Sequence, residues 1–278
     1  NLTSSICLFA DDCVIYRKIN NGHDVFILES DISSISECCQ RWNMKLNTNM
    51  CKHMRVTRVS TSAPSYYLNT GPLESVYSYK YLGNDITNNL SWTLHVHYVV
   101  NNANQMLGYL RITFHIVLAH YTFSLTKLWF VQNWTMQLLS GTQESFHSIT
   151  ELESVQNRAS CFLLSSYYRT SSVTVMKSSL SLPLLTERRR VFRLCLFRKI
   201  FSYNTYLRQK LLTQPSYTSS RIDHRHKVGN PLCRTKYCHD SFIPDTSNSW
   251  NRLPCAIAEI TDAVYLRTAV TNLFCSSV

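Results

Sequence analysis

Charge is scarce in this chain. Asp, Glu, Lys and Arg make up only 16% of its 278 residues, and the acidic members are the scarcer, 17 against 28 Lys and Arg. Beside 45% hydrophobic and 12% aromatic content, that scarcity excludes the low-hydrophobicity, high-charge signature of disorder. A globular chain with about two domains' worth of residues is expected. No internal repeat is present. The longest apolar stretch, Leu110 to Leu139, is broken by Arg111, His115, His120, Lys127 and Gln132. A charged side chain at bilayer depth costs about 2.5 kcal/mol or more, so a buried helix or helix pair is expected there instead of a membrane span. The chain also lacks an initiator Met and a signal peptide, and Ser4-Ser5-Ile6-Cys7-Leu8-Phe9 already reads as a strand, so a fragment is expected. Its eleven cysteines, Cys38-Cys39 among them, then read as reduced thiols of an intracellular protein, cytoplasmic or nuclear.

What is present is an excess of base. A formal charge of +11 favours a polyanionic partner through counterion release and long-range attraction. Nucleic acid and an anionic membrane surface both fit that charge. The basic residues are scattered, and no long helix sets Lys and Arg against a large apolar face, which favours nucleic acid and no membrane.

The order of elements predicts an α+β fold. Ile6 to Phe9 and Cys13 to Tyr16 read as strands joined by an acidic turn, Ala10-Asp11-Asp12. Val25, Leu28, Ile32, Ile35, Cys39 and Trp42 recur at helical spacing, with Asp24 placed to cap the start. Met54 to Val59, Ser65 to Asn69 and Tyr79 to Gly83 are β-rich runs separated by turn signals. From Trp92 the pattern turns helical, over roughly 92–114, 116–140, 145–166, 172–180 and 186–203. Gln209 to Asp240 lacks periodicity and reads as a loop or weakly ordered linker. Phe242-Ile243-Pro244 and Ser249 to Pro254 then supply apolar anchors, and Ala263 to Phe274 a last helix.

Adjacent carboxylates at a hairpin tip suit one chemistry in particular. Nucleotide polymerisation uses two divalent metals about 3.5–4 Å apart, and Mg²⁺ is commonly held by one or two carboxylates together with substrate phosphates. Flanking strands would hold such a turn rigidly. A bare Asp-Asp pair is weak evidence for that chemistry, since most such pairs are solvated turn residues.

The neighbours of the pair carry a resemblance. Leu8-Phe9-Ala10-Asp11-Asp12-Cys13 is similar to the Ala-Asp-Asp box of reverse transcriptases, which in non-LTR (LINE-like, Jockey-like) retrotransposons typically has Phe or Tyr before the Ala. Trp42-Asn43-Met44-Lys45-Leu46-Asn47 resembles that family's next palm motif, and Tyr79-Lys80-Tyr81-Leu82-Gly83 its primer-grip hairpin. Leu152 to Ala159, and Phe242-Ile243-Pro244 with Ser249-Trp250-Asn251-Arg252-Leu253-Pro254, resemble the C-terminal region of these elements. The resemblance covers nearly the whole chain. It implies a partial palm over 1–90, an α-helical thumb- or connection-like region over 91–208, a polar linker over 209–240 and a C-terminal extension over 241–278. It implies RNA-directed DNA synthesis as the ancestral reaction, with an RNA template and a DNA primer as partners. Asp11 and Asp12 would hold Mg²⁺. Tyr79, Lys80, Tyr81, Leu82 and Gly83 would support the primer terminus, Gly83 permitting close backbone approach or an unusual dihedral. Trp42 reads as a core aromatic under the sheet.

The chain also departs from the family. Where the family usually places Lys, three residues after the position of Asn47, Met50 stands, and Lys52 lies two further on. Met can neither donate a proton nor hold a phosphate. Thr113 to Thr142 fits the family pattern poorly. The family's other metal-binding Asp comes from an earlier strand, yet only ten residues precede Asp11. Asp24, Asp31 and Asp85 are no substitute by position. One turn alone would hold Mg²⁺ weakly, because the ion demands near-octahedral ligation, so no polymerase activity is expected of this chain by itself.

Two further clusters stand out. Thr186 to Arg193, with Arg198-Lys199, is a basic helix backed by Val191, Leu194, Cys195 and Ile200. It offers Arg189 and Arg193 for template or primer phosphates, and a plain solvated face accounts for it as well. His224, His226, Cys233, Cys238 and His239 have zinc-ligand chemistry, but their spacing fits no tight zinc pattern and no zinc is expected.

Overall fold

The computed structural model describes residues 2–57, 64–69, 71–113, 146–168, 170–219 and 221–275. The helix expected over 116–140, and most of the apolar stretch around it, lie outside these residues. The chain divides into two compact units, Asn1–Leu90 and Ser91–Val278. The fold is α+β. Among the described residues every strand belongs to the first unit.

That unit begins with β1 (Ser5–Phe9) and β2 (Asp12–Tyr16), antiparallel and in register from Ser5 opposite Tyr16 to Phe9 opposite Asp12. Helix α1 (Gly22–Arg41) follows. Its cap is Asn21, not Asp24: the Asn21 side chain accepts from the Asp24 N–H, and Asp24 at the third helical position accepts from the Asn20 and Asn21 N–H groups. This reciprocal capping box satisfies amide donors that a helix start leaves open. The helix stops where Asn43 takes a left-handed conformation (φ 53°) and the Met44 N–H returns to the Cys39 carbonyl. Trp42 therefore falls off the apolar stripe and is 72% exposed. The expectation of a core tryptophan is overturned by this early stop.

The β-rich runs resolve into short pieces. β3 (Lys52–His53) pairs in parallel with β6 (Glu74–Ser75), and β4 (Tyr67–Leu68) pairs with β5 (Gly71–Pro72). β7 (Ser78–Tyr81) and β8 (Asn84–Thr87) form a second full hairpin. Each of the four sheets has two strands. The core is small: Ile32 of α1, Tyr66 and Leu68 are buried, with Ile15, Val25, Leu28, Leu46, Cys51 and Leu73 packed on them. The Ser36 hydroxyl bonds the Asn69 side chain and pins the β4–β5 turn to the helix.

In the second unit α2 (Thr93–Thr113) packs on α3 (Phe146–Leu163), burying Val96, Val99, Val100, Ala103 and Leu107 against Leu152, Val155 and Ala159. The Leu152 to Ala159 motif is thus the core face of a helix. α4 (Val173–Ser179) leads to α5 (Leu185–Tyr203), whose own cap position, Leu184, has no side chain able to bond the first turn. Glu153 of α3 supplies the acceptor instead: its Oε1 takes the Leu185 N–H at 2.7 Å, and Oε2 takes Lys177 Nζ at 3.4 Å. A carboxylate at a helix N-terminus also opposes the helix dipole favourably.

α6 (Thr205–Leu211), α7 (Lys236–His239), α8 (Phe242–Asn251), α9 (Cys255–Ala258) and α10 (Ala263–Cys275) complete the unit. Val191, Leu194 and Phe197 of α5 share one hydrophobic cluster with Val228, Trp250, Leu253, Ala258, Leu266 and Val270. The sequence reading separated 91–208, 209–240 and 241–278; a single core draws on all three. The expected loop or weakly ordered linker is, over 212–219 and 221–235, an irregular strap fixed by specific bonds. Trp250 Nε1 donates to the His226 carbonyl at 2.8 Å, and Asn251 both accepts from the Val228 N–H (3.0 Å) and donates to its carbonyl (2.8 Å). Gly229 lets the strap close on itself. A Cβ there would come within 2.6 Å of the Gln214 carbonyl oxygen.

Candidate functional site

Asp11 and Asp12 lie at the tip of the first hairpin, both exposed, Asp11 in the turn and Asp12 as the first residue of β2. A two-residue connection needs a positive φ to match strand twist. Ala10 supplies it at 52°, an uncommon conformation that costs an L-residue roughly 1–2 kcal/mol. The base of the hairpin is fixed from α1. Asp31 of α1 is buried, and its carboxylate accepts from the Thr3 N–H, the Thr3 hydroxyl (3.1 Å) and the Ser4 N–H (2.8 Å). Burial alone would raise the Asp31 pKa, but the bonds from Ser4 and Thr3 together hold it below the usual carboxylate range. An Asp beside Ile32 on an apolar helical stripe was the available clue.

The second hairpin ends in Leu82 (φ 48°) and Gly83 (φ 81°), two consecutive positive values of the mirror-image turn that hairpins favour. Nothing lies within 4 Å of a Cβ placed on Gly83. The dihedral, not close approach, is what glycine provides there. The register sets Lys80 opposite Asp85 and Tyr81 opposite Asn84. Desolvation raises the Tyr81 pKa, and charge on Cys7, Asp12 and Cys13 raises it further. The phenol therefore lies within electrostatic range of the acidic turn. Tyr79 points its hydroxyl to the Met50 carbonyl at 3.2 Å, and Lys52 pairs with Glu74, so Lys52 is already engaged.

Asp11 and Asp12 have the right donors for Mg²⁺: hard carboxylate oxygens on a short, paired turn. They fit one share of an octahedron that waters and phosphates complete. Among the described residues no group of three or more His, Cys, Asp or Glu side chains converges on a common point. A two-metal clamp is not assembled from these residues alone.

The basic helix requires correction. Arg189 is 7% exposed, with Nε near the Leu185 carbonyl, and Arg193 Nη1 donates to Asp245 Oδ2 at 2.8 Å. Because α5 packs against α3, α6, α8 and α10, little of its circumference is left for solvent. Arg190 and Lys199 are its exposed basic residues. Neither Arg189 nor Arg193 is placed to meet a phosphate. The zinc candidates separate as well. His224 is buried, with Nε2 3.0 Å from the Trp250 carbonyl and its ring edge-on to the indole, while His239 Nδ1 lies 2.8 Å from Asp240 Oδ1. Only Cys233 and Cys238 of that set meet.

No helix among the described residues is long and apolar enough to cross a membrane. Comparison with models of known protein families, with curated proteins and with solved structures finds no match.

Proposed function

We propose that residues 1–90 carry half of the metal site of a reverse transcriptase of the non-LTR retrotransposon type, and that the chain by itself does not polymerise nucleotides. The observation that carries this reading is the hairpin itself: Asp11 and Asp12 stand exposed at the tip of the paired β1–β2 turn, whose base is fastened to α1 through Asp31. Asp11 and Asp12 would hold Mg²⁺, which when bound would polarise phosphate oxygens and the primer hydroxyl. Asp31 keeps the hairpin base on α1. Lys80 and the Leu82-Gly83 turn would support the primer backbone.

Mn²⁺ titration of the full chain, followed by nuclear magnetic resonance, tests the site. Paramagnetic broadening is expected at residues 9–13 and at Tyr81, and should vanish in the Asp11→Asn, Asp12→Asn double variant. Broadening centred elsewhere would sink the assignment. Extension of a DNA primer on an RNA template by the purified chain with Mg²⁺ would overturn the half-site reading. The +11 charge favours a second reading, non-catalytic nucleic-acid binding. Salt-dependent binding to the primed template in a chain whose hairpin tip ignores Mn²⁺ would select it.

A further inference from the structure

At the C-terminal end of the strap two thiols meet. Cys238 Sγ donates to Cys233 Sγ across 3.2 Å, and the Cys233 thiol in turn faces the Pro231 carbonyl oxygen at 3.5 Å. A disulfide spans about 2.05 Å, so a shift of roughly an ångström converts this contact into a bond. Both sulfurs are free; Cys238 is exposed and Cys233 half-buried. Cys233 lies in the strap ahead of α7, and Cys238 within α7, where its N–H is held by the Thr235 hydroxyl oxygen at 3.2 Å. The two side chains thus face each other across the start of a helix.

We infer that Cys233 and Cys238 form a reversible intramolecular disulfide, a thiol-modification site at the entrance to α8, made by exchange with a low-molecular-weight disulfide such as oxidised glutathione. Cys238 reacts first, because it is the exposed member. Its thiol releases a proton to solvent and the thiolate attacks one sulfur of the glutathione disulfide, whose S–S bond breaks and expels one glutathione thiolate. The Cys233 thiol then releases its proton, attacks Cys238 Sγ and expels the second glutathione thiolate. Two protein thiols have lost two electrons and two protons, and one glutathione disulfide has become two thiols. The hydrogen bond with Cys238, then burial, holds the Cys233 pKa above the ordinary thiol range, in keeping with a resolving and not an initiating role. The Ser241 N–H and hydroxyl both bond the Cys238 carbonyl, at 3.1 and 2.6 Å, so the bond would bear directly on the residue preceding α8.

The test equilibrates the full chain in mixtures of reduced and oxidised glutathione, quenches with an alkylating reagent and reads intact mass and peptide map. The expected result is loss of two hydrogens located at Cys233 and Cys238. Half-conversion should need an oxidising strength at least about ten-fold lower than for the same chain in denaturant, because the fold presents the pair. Cys233→Ser should stop at a glutathione adduct on Cys238, and Cys238→Ser should slow reaction at Cys233 about ten-fold or more. A persistent Cys238–glutathione adduct in the natural chain would overturn the inference. So would pairing of Cys238 with another cysteine, or equal half-conversion in folded and denatured chain.

Discussion

Among the described residues the first unit buries three apolar side chains in its core, Ile32, Tyr66 and Leu68, and the second buries two clusters of nine. In the first, Leu8 and Phe9 of β1 remain 70% and 61% exposed beside the acidic turn. In the second, Trp250 and Phe197 are fully enclosed and in ring contact. The difference separates two ways of holding a chain in place. The second unit is held by area removed from water, at about 25 cal/mol per Å² of apolar surface. The first, which carries the candidate chemistry, depends on polar fastenings between short pieces: Asp31 to the hairpin base, Asn21 with Asp24 at the helix start, Ser36 to Asn69.

Substitutions at three positions test that contrast, each read by hydrogen exchange resolved to peptides of either unit. Trp250→Ala removes the largest enclosed side chain and should cost about 3–5 kcal/mol in the second unit, leaving protection over residues 1–90 unchanged. Equal loss in both would break the comparison. Asp31→Ala strips the acceptor from Thr3 and Ser4 and should cost about 1.5–3 kcal/mol, confined to the first unit. The same residue predicts a pH response. Its folded pKa lies below its unfolded value, so its contribution is fully present above the unfolded carboxylate pKa of about 3.9 and is lost as pH falls through the folded value. Protection of β1 and β2 should weaken below about pH 4 in the natural chain. That acid step should be missing from Asp31→Asn, which lacks the titrating group. Ala10→Gly relieves the positive φ at the hairpin tip and should stabilise β1–β2 by up to about 1 kcal/mol. Destabilisation instead would mean that the Ala10 conformation is not strained.

Local pattern made the regular elements legible. The acidic hairpin, the stripe of α1, the Leu82-Gly83 turn and the helices near 93–113, 146–163, 173–179, 185–203 and 263–275 are all written in short-range periodicity and turn chemistry. What escaped depends on partners distant in sequence. Arg189 and Arg193 look like a phosphate-facing row until α8 brings Asp245 to α5. The strap shows no periodicity because bonds to Trp250 and Asn251 order it, and no window of its own residues contains them. Trp42 keeps the helical spacing but lies one residue past the helix. At the candidate site Asp11 and Asp12 were visible from their neighbours. Asp31 was not, since a carboxylate that fastens a strand and one that faces water look alike in a linear sequence.

The bond from the Leu185 N–H to Glu153 has a bearing on assembly. Helix α5 carries no cap of its own, so its first turn is completed by a side chain of another helix, thirty-two residues earlier in the chain. The helix that links the two clusters of the second unit cannot settle its starting point alone. The start of α5 is thereby tied to α3, and through α5 the region around Trp250 is tied to the α2–α3 pair.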